Sequence, residues 1–271
     1  MTSVLKRMLA TLLVGTSLLG ASASSSAADK SAIDGILASG ELHGCFEAGY
    51  LPFYMKAKNG NFIGFDIDVV KHMARSMSVK FVPVNTAWDG IIPALQTGKC
   101  DIIIGGMGIT PARNLQVMFA DTYLEIGQTV LIRPELAGTI KSYKDLNNGQ
   151  YTITSQIGTT GAMAAEKHLP KAKLNLFETS ADGVLQVING KADAFVYDLP
   201  YNALYASQHK DKVIHLDASF TYEPLGWAIR RGDPDFLNFL NNYLKMIKND
   251  GTYDRIYAKW FESDAWVKQV Q

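Results

Sequence analysis

Cysteine and histidine are sparse in this chain, and neither sign of charge prevails. Its 271 residues include 2 cysteines and 5 histidines, with 26 basic side chains balanced by 26 acidic ones. Cys45 and Cys100 lack the repeated close spacing of a zinc site, and the histidines are scattered, so no metal or other cofactor is expected. The balanced charge argues against a nucleic-acid partner, because binding phosphates requires a basic stripe. Long apolar runs are missing as well. The stretch from Met8 to Leu19 falls well short of the ~20 residues a spanning helix needs, and no later window approaches that length.

Lys6 and Arg7 stand ahead of that short apolar stretch, and small residues follow it. A charged start, a brief apolar core and small residues describe an export leader over 1–28, with cleavage fitting after Ala23 or Ala28. No cysteine follows Gly20 to accept a lipid, so a free periplasmic protein is expected. The remaining chain of about 243 residues can bury one large or two small cores. Without Lys6 and Arg7 it carries 24 basic and 26 acidic residues, a formal charge of −2. Both cysteines would then meet an oxidising compartment. Each lies in or beside an apolar strand-like run, which favours two buried thiols over a bridge whose geometry the sequence cannot supply.

Short apolar strands alternate with amphipathic helices, predicting an α/β protein of mainly parallel sheets covered by helices. Leu42–Phe46 and Val79–Val84 read as strands, with a helix between them that places Val69, Val70, Met73 and Met77 on one face and offers Asp66 as N-cap. Trp88–Thr97 reads as a helix ended by Gly98, and CDIIIGG as a central parallel strand. Thr110 and Pro111 are an N-cap and an N1 proline, which open a short helix containing Arg113. This unit ends near Tyr123, and a second follows with strands TVLIR, YTITS, LNLFE, DAFVY and VIHL. The two units echo one another: ALQTGKCDIII and LQVINGKADAFVY both run helix, Gly-Lys, one residue, Asp, buried strand. After the strand LGWAIR, two helices close the chain, the first with Phe236, Phe239, Leu240, Tyr243 and Met246 on one side.

Ligands of open parallel sheets bind beyond the carboxyl ends of the strands. The segments there, FEAGYLPF, NTAWDG, GGMGITPAR, SQIGTTG and YDLPYNA, hold one arginine, three carboxylates, threonines and aromatic rings. That combination suits a small molecule carrying both charges. Arg113 could fork onto a carboxylate with help from a helix N-terminus and nearby glycine amides, although by position alone a solvated surface arginine is an equal alternative. Asp198 could cap the helix after DAFVY, hold an ammonium group, or do both. Tyr50 and Trp88 could wall the site, and isolated rings are also common core residues.

Taken in order, FEAGYLPF, GFDIDVV, WDGIIPALQTGKCDIII, GITPARNLQVMFADTYLEIGQ, GKADAFVYDLP and NDGTYDRIYAKWF resemble the blocks of the periplasmic solute-binding protein family 3, the polar amino-acid-binding receptors of ABC transporters. The resemblance covers essentially the whole chain after the leader. It implies two α/β lobes joined by two hinge strands, lobe 1 from 30–123 and 224–271 and lobe 2 from 124–223, with the hinges at Tyr123–Gly127 and Thr221–Pro224. It further implies that Arg113 clamps the ligand α-carboxylate, assisted by the backbone of Gly108 and by Thr160, with Thr159 beside it in the binding set. The Gly106 carbonyl and Asp198 would hold the α-ammonium group, Tyr50 and Trp88 would sandwich the side chain, and Gln156 and Tyr197 would complete the wall. The implied partners are one amino acid and a membrane permease, and the expected state is a monomer without catalytic residues.

Two positions depart from the family pattern. Gly108 stands where relatives commonly carry Ser or Thr, which leaves one hydroxyl fewer for the carboxylate or a water in its place. Glu47 stands where relatives for basic amino acids or glutamine often carry Asp, and a buried carboxylate there calls for a cationic or amide-bearing ligand, unless it pairs with a protein group or faces water. The alternative function is a cyclohexadienyl or arogenate dehydratase on the same scaffold. Such an enzyme would need a general acid shortly after the glycine-threonine run, where this chain has Gly161, Ala162 and Met163.

Overall fold

A computed structural model of the protein describes residues 31–270; the expected leader, 1–28, lies outside them. Two five-stranded sheets share one plan. In the first, Lys80–Asn85, Glu41–Phe46 and Ile102–Ile103 run parallel, followed by Ala228–Ile229 and Met118–Phe119. Ala228–Ile229 is antiparallel to both of its neighbours. In the second, Lys173–Phe177, Thr152–Gln156 and Ala194–Asp198 run parallel, followed by the antiparallel Gln128–Ile132 and then Ile214–Leu216. The chain passes between the sheets twice, through Leu124–Ile126 and Glu223–Leu225, which pair antiparallel with each other. Each sheet is therefore mixed, and Ile102–Ile103 has one parallel and one antiparallel neighbour.

The echo between the units has a physical basis. Gly98 and Gly190 both end a helix in the left-handed conformation, with φ of 76° and 69°. Asp101 Oδ2 then accepts from His43 N at 2.9 Å, while the Asp101 amide donates to the His43 carbonyl at 2.8 Å. Asp193 does the same with Thr152, at 2.8 Å in both directions. Each aspartate thus pins the start of its strand to the strand beside it.

Helix starts follow side-chain chemistry. The Thr110 hydroxyl accepts from the Arg113 amide at 3.2 Å, with Pro111 opening the helix Pro111–Asn114 as the sequence predicts. Asp66 is not an N-cap. Gly64 holds that position for Phe65–Ser76, and the Asp66 side chain turns inward, 1% exposed, to accept from the Tyr123 hydroxyl at 3.2 Å. The expected helix Trp88–Thr97 starts as a single tight turn, Trp88–Gly90, and becomes an α-helix over Ile91–Gln96. In the helix Pro234–Asn249, Leu244 and Ile247 face the core and Met246 is exposed, so the apolar stripe drifts from the expected side in its last turns.

The cysteines also depart from expectation: Cys45 and Cys100 form a disulfide, with Cα atoms 5.7 Å apart. Cys45 pairs with Ile103 in the sheet register, and this brings Cys100, just ahead of that strand, alongside it.

Candidate functional site

The loops following the parallel strands of both sheets meet at one small cavity. Tyr50, Trp88, Gly106, Gly108 and Arg113 line it from the first sheet, and Thr159, Thr160, Tyr197 and Asp198 from the second. Arg113 and Asp198 thus reach the same space from opposite sides, 5% and 8% exposed.

Arg113 is held in a defined pose by the short helix that Thr110 caps. Its Nη1 donates to the Gly108 carbonyl at 2.8 Å and its Nη2 to the Gly158 carbonyl at 2.9 Å. The guanidinium carbon lies 5.5 Å from the centre of the Trp88 ring, a cation–π arrangement. Burial lowers the guanidinium's proton affinity, and Asp198 and Glu223 counter that effect. The Trp88 indole donates to the same Gly158 carbonyl at 3.0 Å, so one backbone oxygen of the second-sheet side gathers two first-sheet groups.

Asp198 occupies the N-cap position of Leu199–Gln208, yet its side chain makes no capping bond. Its carboxylate instead accepts from the Tyr50 hydroxyl and from Gln128 Nε2, the latter at 2.5 Å. Burial raises its pKa to about 6, while the bonds from Tyr50 and Gln128 and the charge of Arg113 pull it down. Gln128 lies directly opposite Asp198 in the antiparallel register.

The aromatic wall continues into the core. Tyr50 stacks on Phe53 with centroids 4.5 Å apart and meets Tyr197 edge-on at 5.7 Å. Gly106 sits under this wall in the left-handed conformation, φ 56°, and a Cβ there would lie 2.6 Å from the Tyr50 ring. Only glycine allows both the turn and the approach.

Glu47 and Gln156 pair with each other beside the cavity rather than lining it. Gln156 Nε2 donates to Glu47 Oε2 at 2.6 Å, and the Trp88 amide donates to Glu47 Oε1 at 3.1 Å. Burial raises the Glu47 pKa, and these two bonds oppose the shift. The Thr159 hydroxyl is occupied locally, capping the Ala162 amide and donating to the Gln156 carbonyl at 2.7 Å. The Thr160 hydroxyl accepts from Gln128 Nε2 at 3.3 Å.

Sequence reasoning missed Tyr54 and Gly105, which also line the cavity and are joined by a 2.7 Å bond from the Tyr54 hydroxyl to the Gly105 carbonyl. It also missed Gln128, and it read Glu223 only as part of a hinge strand. Tyr54 had a signal, since it lies four residues past Tyr50 and directly follows the segment FEAGYLPF. Gln128 had none, because its role depends on which strand lies beside DAFVY.

The sequence profile of the bacterial extracellular solute-binding proteins, family 3, matches residues 42–263. The chain belongs to this family. As a family 3 solute-binding protein it has the two-lobed α/β fold of its solved neighbours. One neighbour, the lysine complex of an ABC-transporter binding component from Wolinella succinogenes, is 49% identical, with a TM-score of 0.82 over 84% of this chain and 99% of that one. An ancestral amino acid-binding protein described as a precursor of cyclohexadienyl dehydratase is also 49% identical, with a TM-score of 0.81 over 85% and 100% of the two chains. The ABC-transporter glutamine-binding protein of Bacillus subtilis is 33% identical over 213 residues, 76% of this chain and 75% of that one.

Proposed function

We propose that this solute-binding protein captures one polar L-amino acid, with a basic or amide side chain, between its lobes and hands it to an ABC-transporter permease at the cell envelope. The observation that carries this reading is the convergence of Arg113 and Asp198, opposite in sign and borne by different sheets, on one aromatic-walled cavity. A guanidinium fork suits an α-carboxylate, and a buried carboxylate beside the Gly106 loop suits an α-ammonium group. The lobes are 30–123 with 224–271 and 124–223, and the crossing pair Leu124–Ile126 and Glu223–Leu225 serves as the hinge between them. A guest touching both lobes favours the closed arrangement by its differential contacts. The protein acts as a monomer after loss of its leader.

Glu47 sets the side-chain preference in this reading. A cationic or amide group reaching Glu47 takes over the donor role that Gln156 holds, and so offsets the cost of a half-buried carboxylate. The lysine complex of the 49% identical relative and the glutamine-binding relative agree with that chemistry. The dehydratase alternative is disfavoured because Gly161, Ala162 and Met163 supply no proton donor after the glycine-threonine run.

Calorimetric titration against the twenty amino acids tests the assignment, with heat expected from basic or amide members; silence from all twenty refutes it. Glu47→Gln should reorder the preferred side chains by roughly tenfold, the scale of a charge-assisted bond, and an unchanged ranking removes Glu47 from recognition. Affinity should also depend on pH. The ammonium group needs the ionised form of Asp198, whose pKa is about 6, so affinity holds above that pH and falls below it. Between pH 7 and pH 5 the loss should be about tenfold, and an affinity flat across this range would mean Asp198 does not receive the ammonium.

A further inference from the structure

We propose that Glu223, on the crossing strand Glu223–Leu225, is a specificity-determining residue whose unneutralised charge selects guests with a net positive charge. The inference rests on the amino-acid reading of the cleft. Glu223 is 8% exposed and pairs in register with Ile126 of the other crossing strand. A Cβ placed on Gly108 would lie 3.4 Å from Glu223 Oε2, 3.4 Å from Arg113 Nη1 and 3.0 Å from Thr160 Cγ2. The carboxylate, the guanidinium and Thr160 therefore crowd the same glycine, and the carboxylate borders the recognition site.

Direct pairing with Arg113 is not what holds Glu223. Both Nη groups of Arg113 are directed at the carbonyls of Gly108 and Gly158. Burial raises the Glu223 pKa, and the nearby Thr221 and Thr160 hydroxyls, the charge of Arg113 and the Gln128 amide oppose that shift and favour the charged carboxylate. The Gln128 amide itself bonds Asp198 and Thr160. Facing Glu223 from the helix Thr160–His168 are Lys167 and His168, across a groove that Glu223 also lines. Lys167 is exposed, so water and salt screen its charge.

The charge balance gives the selection. Arg113 offsets one of the two carboxylates that act on it, Asp198 and Glu223, so one negative charge remains there in addition to that of Glu47 at the side-chain end. A guest with a neutral side chain brings charges that cancel and leaves that excess in place. A guest with a cationic side chain compensates it, whatever the shape of the side chain, because the effect acts through the field rather than a contact. Glu47, which can touch the side chain, should instead discriminate by shape and hydrogen bonding.

The test is the ratio of Kd for glutamine to Kd for arginine, and for glutamine to lysine, in the wild type and in Glu223→Gln. Taking ratios cancels changes in fold stability and in recognition of the α-groups. Both ratios should fall by the same factor, roughly tenfold for a unit charge acting across several ångströms, and Glu223→Asp should restore most of the loss. If the Gln variant fails to fold, Glu223→Met reads the same ratios at similar side-chain length. Ratios within twofold of wild type in the charge-deleted variant overturn the inference while leaving the amino-acid reading intact. A wild-type protein that binds none of the twenty amino acids defeats that reading, and this inference with it.

Discussion

Arg113→Ala should weaken binding of every amino-acid guest by roughly two to three orders of magnitude, whatever the side chain, the usual cost of truncating one partner of a buried charge pair. The guanidinium is pre-positioned: the capped helix Pro111–Asn114 fixes its backbone, two carbonyls fix its fork, and Trp88 lies 5.5 Å away. A guest carboxylate therefore meets a cation whose ordering cost was met during folding, which is why its removal should be severe. Arg113→Lys should recover only part of the loss, since an ammonium keeps the charge but not the planar fork. The fold should survive the change to alanine, because burial already disfavours this charge. Calorimetry gives the affinity, and a melting curve of the free variant separates recognition from folding. An alanine variant that binds within threefold of wild type would remove Arg113 from the site.

Loss of the Cys45–Cys100 bridge should have the largest effect on stability. The cysteines are 55 residues apart in sequence, and closing a loop of that length removes about 4 kcal/mol of conformational freedom from the unfolded chain in the entropy model. The double variant Cys45→Ala/Cys100→Ala should lose that amount in denaturant unfolding, and the oxidised wild type should lose a similar amount on addition of reductant. Affinity should change far less, since neither sulfur lines the cavity. A loss below about 1 kcal/mol would mean that the unfolded chain is already constrained over this span.

Several site residues were legible because their signals are local. The Thr110–Pro111 start, the glycines around Gly106 and the position of Asp198 at the end of a buried strand all follow from neighbours within a few residues. The repeated Gly-Lys-x-Asp element was also legible, and its aspartates proved to do the same job in each sheet. Asp66 misled for the same reason: an acidic residue near a helix start looks like a cap, and only the packing of Tyr123 over it accounts for its burial.

The sequence by itself determined the alternation of strands and helices, the two units of like construction, and which loops carry polar and aromatic residues at the strand ends. Hydrophobic period, capping chemistry and turn residues are properties of short segments, and they persist wherever those segments are placed. Tertiary structure alone decided that Cys45 and Cys100 bond, that Gln128 stands opposite Asp198, that Glu47 meets Gln156, and that Glu223 borders Arg113. Each of these depends on strand register or on the approach of distant strands and loops, and those are fixed only when the apolar faces of remote segments are buried together.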